Sequence, residues 1–138
     1  MTYTGSCLCG GIAFRVDAEL EPIQLCHCVQ CQKAQGGAFA AVVPIDTAHF
    51  HIDRGEELLA TYESSPGKER LFCRRCGSPV LSRRVALPQV VRVRAGLFDA
   101  PLPVRPASHA WVSEACAWWP IDDDLPQFPG PRPSVDRR

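Results

Sequence analysis

The chain has 138 residues, of which 46% are apolar and 22% charged, and its 15 basic and 15 acidic side chains cancel. That is the size and composition of one domain with a buried core, too apolar for a disordered polyelectrolyte. A zero net charge argues against nucleic acid or an anionic membrane as partner, and the longest apolar run, residues 38–43, falls far short of the roughly 20 residues of a membrane span.

The start, Met1-Thr2-Tyr3-Thr4-Gly5, has neither a basic beginning nor an apolar stretch, so no signal peptide is expected and the cytoplasm is the expected location. Ile12 to Val16 alternates as a half-buried strand does. Val29 to Gln35 is the one helical stretch, ended by Gly36 and Gly37. Ala38 to Val43 reads as a buried strand, and Thr47–Ile52 and Leu58–Tyr62 as shorter ones separated by the turn Asp53-Arg54-Gly55. Glu69 to Phe72 leads into a cysteine pair, and Val80-Leu81 continues beyond it. Val90 to Ala95 alternates well, and His109 to Val112 reads as the last strand. Pro88, Pro101, Pro103 and Pro106 mark loops. The expectation is a mainly β chain with one domain over residues 1–125. The segment 126–138, with Pro126, Pro129, Pro131 and Pro133, is expected to be an extended, poorly ordered tail.

Eight cysteines in so short a chain, in a reducing compartment and at short spacings, point to metal binding rather than disulfides. In Cys73-Arg74-Arg75-Cys76-Gly77 the cysteines are spaced to aim two sulfurs at one ion, and the glycine suits the tight turn. In Cys7-Leu8-Cys9-Gly10-Gly11 two cysteines on an extended segment face one side. Cys7, Cys9, Cys73 and Cys76 together make a closed four-thiolate site for a structural zinc. Arg74 and Arg75 would help hold its charge of about −2.

The middle cluster, Cys26-His27-Cys28-Val29-Gln30-Cys31, supplies three sulfurs and leaves a fourth position open, the pattern of a catalytic zinc. Three thiolates on a zinc dication give a net charge of about −1, which favours a soft substrate thiolate over activation of water. The rival arrangement is a second structural zinc closed by Cys116 or His27, and spacing alone does not say which clusters share an ion. A non-catalytic zinc module for a protein or small-molecule partner, or a thiol redox sensor, follows from those rivals.

Other residues carry weaker signals. His27, between two ligands, is expected to point away from the ion and form a hydrogen-bonding wall. Lys33 and Gln30 lie beside the open site, and Lys33 is a candidate for a substrate carboxylate. Phe39 reads as core. His49 and His51 are expected at the surface, and Asp122-Asp123-Asp124 as a solvated turn. Trp111, Trp118 and Trp119 are expected to cover core or the mouth of a cavity, and Cys116 to be a small buried hydrophobe.

The order Cys7-x-Cys9-Gly-Gly, Cys26-His27-Cys28-x-x-Cys31-x-Lys33-x-x-Gly36-Gly37-Ala38-Phe39 and Phe72-Cys73-x-x-Cys76-Gly77 resembles the glutathione-dependent formaldehyde-activating enzyme family, which shares its domain with centromere protein V. His109-Ala110-Trp111-Val112 and the later tryptophans extend the resemblance over residues 3–128. It implies a β-tent fold of small antiparallel sheets around a structural zinc. It also implies two zinc ions per chain, with Cys7, Cys9, Cys73 and Cys76 as structural ligands and Cys26, Cys28 and Cys31 as ligands of the catalytic ion. The implied activity joins formaldehyde to glutathione as S-(hydroxymethyl)glutathione, the reverse of a carbon–sulfur lyase step. The implied partner is therefore a small-molecule thiol such as a glutathione adduct.

Overall fold

The structure is a computed structural model that describes residues 1–99 and 101–133. The strands are short, as the frequent glycines and prolines require. In order they are β1 (Tyr3–Ser6), β2 (Ala13–Val16), β3 (Ile23–Cys26), β4 (Ala40–Asp46), β5 (Phe50–Arg54), β6 (Leu59–Ser65), β7 (Lys68–Cys73), β8 (Pro79–Arg84), β9 (Val90–Arg94) and β10 (Pro106–Ala110). One helix, α1 (Val29–Gln35), lies between β3 and β4. The mainly β expectation holds.

The strands form a three-stranded sheet, β1-β2-β5, and a seven-stranded sheet, β10-β3-β4-β9-β8-β7-β6. All pairs are antiparallel except β10 with β3, which run parallel. The core lies between the two sheets. Phe14 and Val16 from the small sheet, with Ile12 just before β2, pack on Leu25, Val43, Ile45, Leu71, Leu81, Val91 and Val93 from the large one. Because side chains alternate along a strand, the neighbours of these residues turn to the other face of the large sheet. Val42 and Arg94, directly opposite each other, lie there. That second face carries the site described below.

Two expected elements shift. Residues 47–52 do not form one strand, because the Asp46 carboxylate accepts from the Ala48 N–H and turns Thr47–His49 into a short 3₁₀ segment. The last strand is Pro106–Ala110, and it ends where Trp111 takes a left-handed backbone with φ 58°. As far as it is described, the Pro-rich segment pairs with β10 and the turn after it. Pro126 accepts from the His109 N–H at 2.9 Å and Gly130 from the Trp111 N–H at 2.9 Å. The Ser113 hydroxyl donates to the Pro129 carbonyl at 2.6 Å. Prolines cannot donate, but their carbonyls are free to pair with the open edge of β10. Residues 134–138 lie outside the described residues.

Candidate functional site

The four-cysteine cluster forms where two tight turns meet. Cys7 follows β1 and Cys9 lies in its turn, where Gly10 takes φ 76°. Cys73 ends β7 and Cys76 lies in the turn to β8, where Gly77 takes φ 81°. The Leu8 N–H donates to the Ser78 hydroxyl at 2.9 Å and joins the two turns. Backbone N–H groups point at the sulfurs, Ile12 at Cys7 over 3.3 Å and Gly11 at Cys9 over 3.4 Å. The Cys9 thiol is held low by that Gly11 N–H and by the Arg75 guanidinium, whose Nε is 3.3 Å from the sulfur. Cys76 is held down to about 5, chiefly by Ser78.

The donor set fits a tetrahedral zinc. Four sulfurs about 2.3 Å from one ion stand about 3.8 Å apart. Cys7 and Cys9 are 3.6 Å apart and Cys9 and Cys73 3.9 Å. All four sulfurs lie within 4.8 Å of one another.

Cys26, Cys28 and Cys31 form the second group, again with all sulfurs within 4.8 Å. Cys26 ends β3. Cys28 is the N-cap of α1, its sulfur accepting from the Cys31 N–H at 3.3 Å, so cap and first turn put both sulfurs on one side. The Cys31 thiol is held low by hydrogen bonds from Cys26 and Cys28, and then by Arg70, whose Nη2 lies 3.8 Å away. Those same thiol contacts push Cys26 up. This group suits a metal by the softness of three clustered sulfurs.

Neither candidate for a fourth ligand joins the trio among the described residues. Cys116 belongs to neither sulfur group. His27 is buried, and its Nε2 lies 2.7 Å from Nδ1 of His109. Its ring packs on Phe39, which meets Trp119 edge-on at 5.2 Å. Trp111 lines the space beside Cys26 and Cys31, whereas Trp118 is exposed. Lys33 is exposed on the last turn of α1 and lines no part of that space. His49 is exposed, and the His51 Nε2 meets the Asp17 carboxylate at 2.9 Å.

Sequence reasoning missed the cations. A cavity of about 330 Å³ opens from Cys26 and Cys31 across the second face of the large sheet, and Lys68, Arg84, Arg92 and Arg94 line it. The signal was present in the alternation Val91-Arg92-Val93-Arg94, which places the arginines on one face but does not say that the face is enclosed. The contact between buried His109 and exposed Asp123 was missed too, since the two lie 14 residues apart in sequence.

Comparison with known proteins agrees with the cysteine pattern. The family model for the glutathione-dependent formaldehyde-activating enzyme matches residues 2–114. A relative from Halomonas elongata, whose name assigns it provisionally to the glutathione-dependent formaldehyde-activating enzymes, is 34% identical over 130 residues, covering 88% of this chain and 82% of the relative. An uncharacterised lyase of Schizosaccharomyces pombe is 32% identical over 76 residues, covering 55% of this chain and 53% of that protein. A crystal structure of a Rhodobacter sphaeroides protein shares the fold, with a TM-score of 0.58 at 22% identity over 75% of this chain and 99% of that one. With the family model spanning most of the chain, this protein belongs to the glutathione-dependent formaldehyde-activating enzyme family.

Proposed function

We propose that the protein is a zinc-dependent carbon–sulfur lyase acting on a thiol adduct, of the type that makes or breaks S-(hydroxymethyl)glutathione. The observation that carries this reading is the trio itself: three sulfurs gathered in one place, with His27 and Cys116 both left out among the described residues. Family membership and the lyase name of the yeast relative support it. Cys7, Cys9, Cys73 and Cys76 would hold a structural zinc, and Cys26, Cys28 and Cys31 the working one. When bound, that second ion supplies a soft Lewis acid that favours the thiolate form of a substrate sulfur.

The chain's own residues do the rest. The cap geometry of Cys28 and Cys31 fixes two sulfurs on one rigid turn. Trp111 walls one side of the cavity. In the forward direction the substrate sulfur attacks the aldehyde carbon, a carbon–sulfur bond forms, and the carbonyl oxygen takes up a proton. The reverse breaks that bond and returns thiol and aldehyde.

Metal analysis with a glutathione and formaldehyde assay tests the reading. Wild type should carry two zinc ions per chain and form the adduct. Cys28→Ser should lose one zinc and the activity yet keep the fold. A variant that retains both ions and full turnover would overturn the assignment of Cys28.

A further inference from the structure

We propose that the second face of the large sheet, beside the cysteine trio, is an oxyanion-binding site that selects thiol substrates carrying a carboxylate or phosphate group. The proposal rests on the thiol reading for the word substrate, and on the cavity alone for the anion.

The register of the sheet gathers the charge. Lys68 of β7 stands directly opposite Arg84 of β8. Like charges directly opposite each other on a sheet repel, so folding alone gives no reason for the pair. In the next row Arg70 stands opposite Ser82, and Ser82 opposite Arg92. Arg94 lies one alternation further on and is buried to 4% exposure. Its guanidinium donates to neutral groups: Gln35 Oε1 at 2.7 Å, Ser82 Oγ at 3.2 Å and the Arg92 carbonyl at 3.2 Å. The lining of this cavity contains no aspartate or glutamate among the described residues, and the adjoining one, which shares Lys68 and Arg84 with it, adds the single carboxylate of Glu114.

Three details show that cations outweigh anions on this face, where the Cys31 sulfur, 3.8 Å from Arg70 Nη2, is the anionic neighbour. Arg70 Nη1 is buried without a hydrogen-bond partner. The Lys68 ammonium is pushed down to about 7, first by burial and then by Arg92, Arg84 and Arg70. Burial likewise lowers Arg94 to about 10. Taking cations out of water without counter-charges is costly, and a bound oxyanion would offset that cost while accepting several charge-assisted hydrogen bonds. Cys26 and Cys31 line the same cavity, so a thiol whose anionic group is held by Lys68 and Arg84 would have its sulfur beside the trio.

Calorimetry on the zinc-loaded full chain, with inorganic phosphate and succinate as separate probes and sodium chloride at matched ionic strength as control, tests this. Wild type should bind at least one probe, and which one it prefers distinguishes phosphate from carboxylate. Lys68→Met and Arg84→Met should each weaken that binding by about tenfold with zinc content unchanged. Arg84 is exposed, so its replacement leaves the core intact. The same variants should raise the KM for glutathione and leave that for 2-mercaptoethanol in place. Equal binding by wild type and both variants, or binding no stronger than chloride, would overturn the proposal. If no thiol is turned over at all, the lyase reading fails while calorimetry still decides on the anion site.

Discussion

His27 Nε2 and His109 Nδ1 lie 2.7 Å apart, and both rings are buried. Nε2 of His109 in turn meets the Asp123 carboxylate at 2.9 Å. Since Asp123 can only accept, His109 donates to it from Nε2, which leaves Nδ1 to accept from His27. One tautomer of each ring satisfies the chain of bonds. Burial lowers the basicity of His27, in keeping with its neutral form. The His27 main chain adds a second tie, its N–H donating to Ala110 at 2.9 Å. The residue between Cys26 and Cys28 is thus clamped to β10 from ring and backbone.

Replacing His109 by phenylalanine removes the acceptor and leaves a buried N–H on His27 unsatisfied. The expected cost is about 2–4 kcal/mol of folding stability. Denaturant titration of the zinc-loaded protein checks it, and a change within experimental error would show that the bond contributes nothing.

The four-cysteine cluster joins turns that are far apart in sequence, so its metal should stabilise the fold itself. Cys73 is fully buried there. Cys73→Ser, or removal of zinc by a chelator, should cost on the order of 5 kcal/mol or more, because metal-binding energy at such a site is folding energy. Circular dichroism during chelation would show this as cooperative loss of strand signal. The contrast with Cys28→Ser, expected to stay folded, separates the two sites.

Gly55 takes φ 84°, and a Cβ there would overlap the Gly11 carbonyl oxygen. Gly55→Ala therefore meets both backbone strain and a backbone clash, at an expected cost of about 3 kcal/mol. Gly11 follows the Cys9 turn and donates to its sulfur, so the variant should also bind structural zinc more weakly. Competition with a chromogenic chelator measures that loss.

Lys68 sets a pH dependence. Its folded-state value of about 7 lies below the 10.5 of an ordinary lysine, so between those values the unfolded chain holds more protons than the folded one. Stability from this group is therefore full above pH 10.5, falls as the pH drops to about 7, and is constant below that. Lys68→Met removes the effect. Relative to wild type the variant should gain stability as pH falls through this window, reaching about 2–4 kcal/mol at neutral pH. Denaturation of both proteins at several pH values reads the difference, and parallel curves would contradict it.

The cysteine spacings, the glycines beside them and the alternating strands were legible because each depends on neighbours in the chain. A cap, a tight turn and a two-residue period are local physics. From them followed the β-rich fold, α1 at its exact bounds, and both groups of sulfurs. What the chain order left open was which groups share an ion, since Cys9 and Cys73 meet only after β1 and β7 have docked. The clamp from Asp123 through His109 to His27 was invisible for the same reason, as was the pairing of residues 126–130 with β10 and the turn after it. The cationic face is the clearest case. Lys68, Arg84, Arg92 and Arg94 each look like solvated positions of a half-buried strand. Only the sheet register brings them onto one face in successive rows, and only the tertiary enclosure of that face turns scattered surface charge into a site.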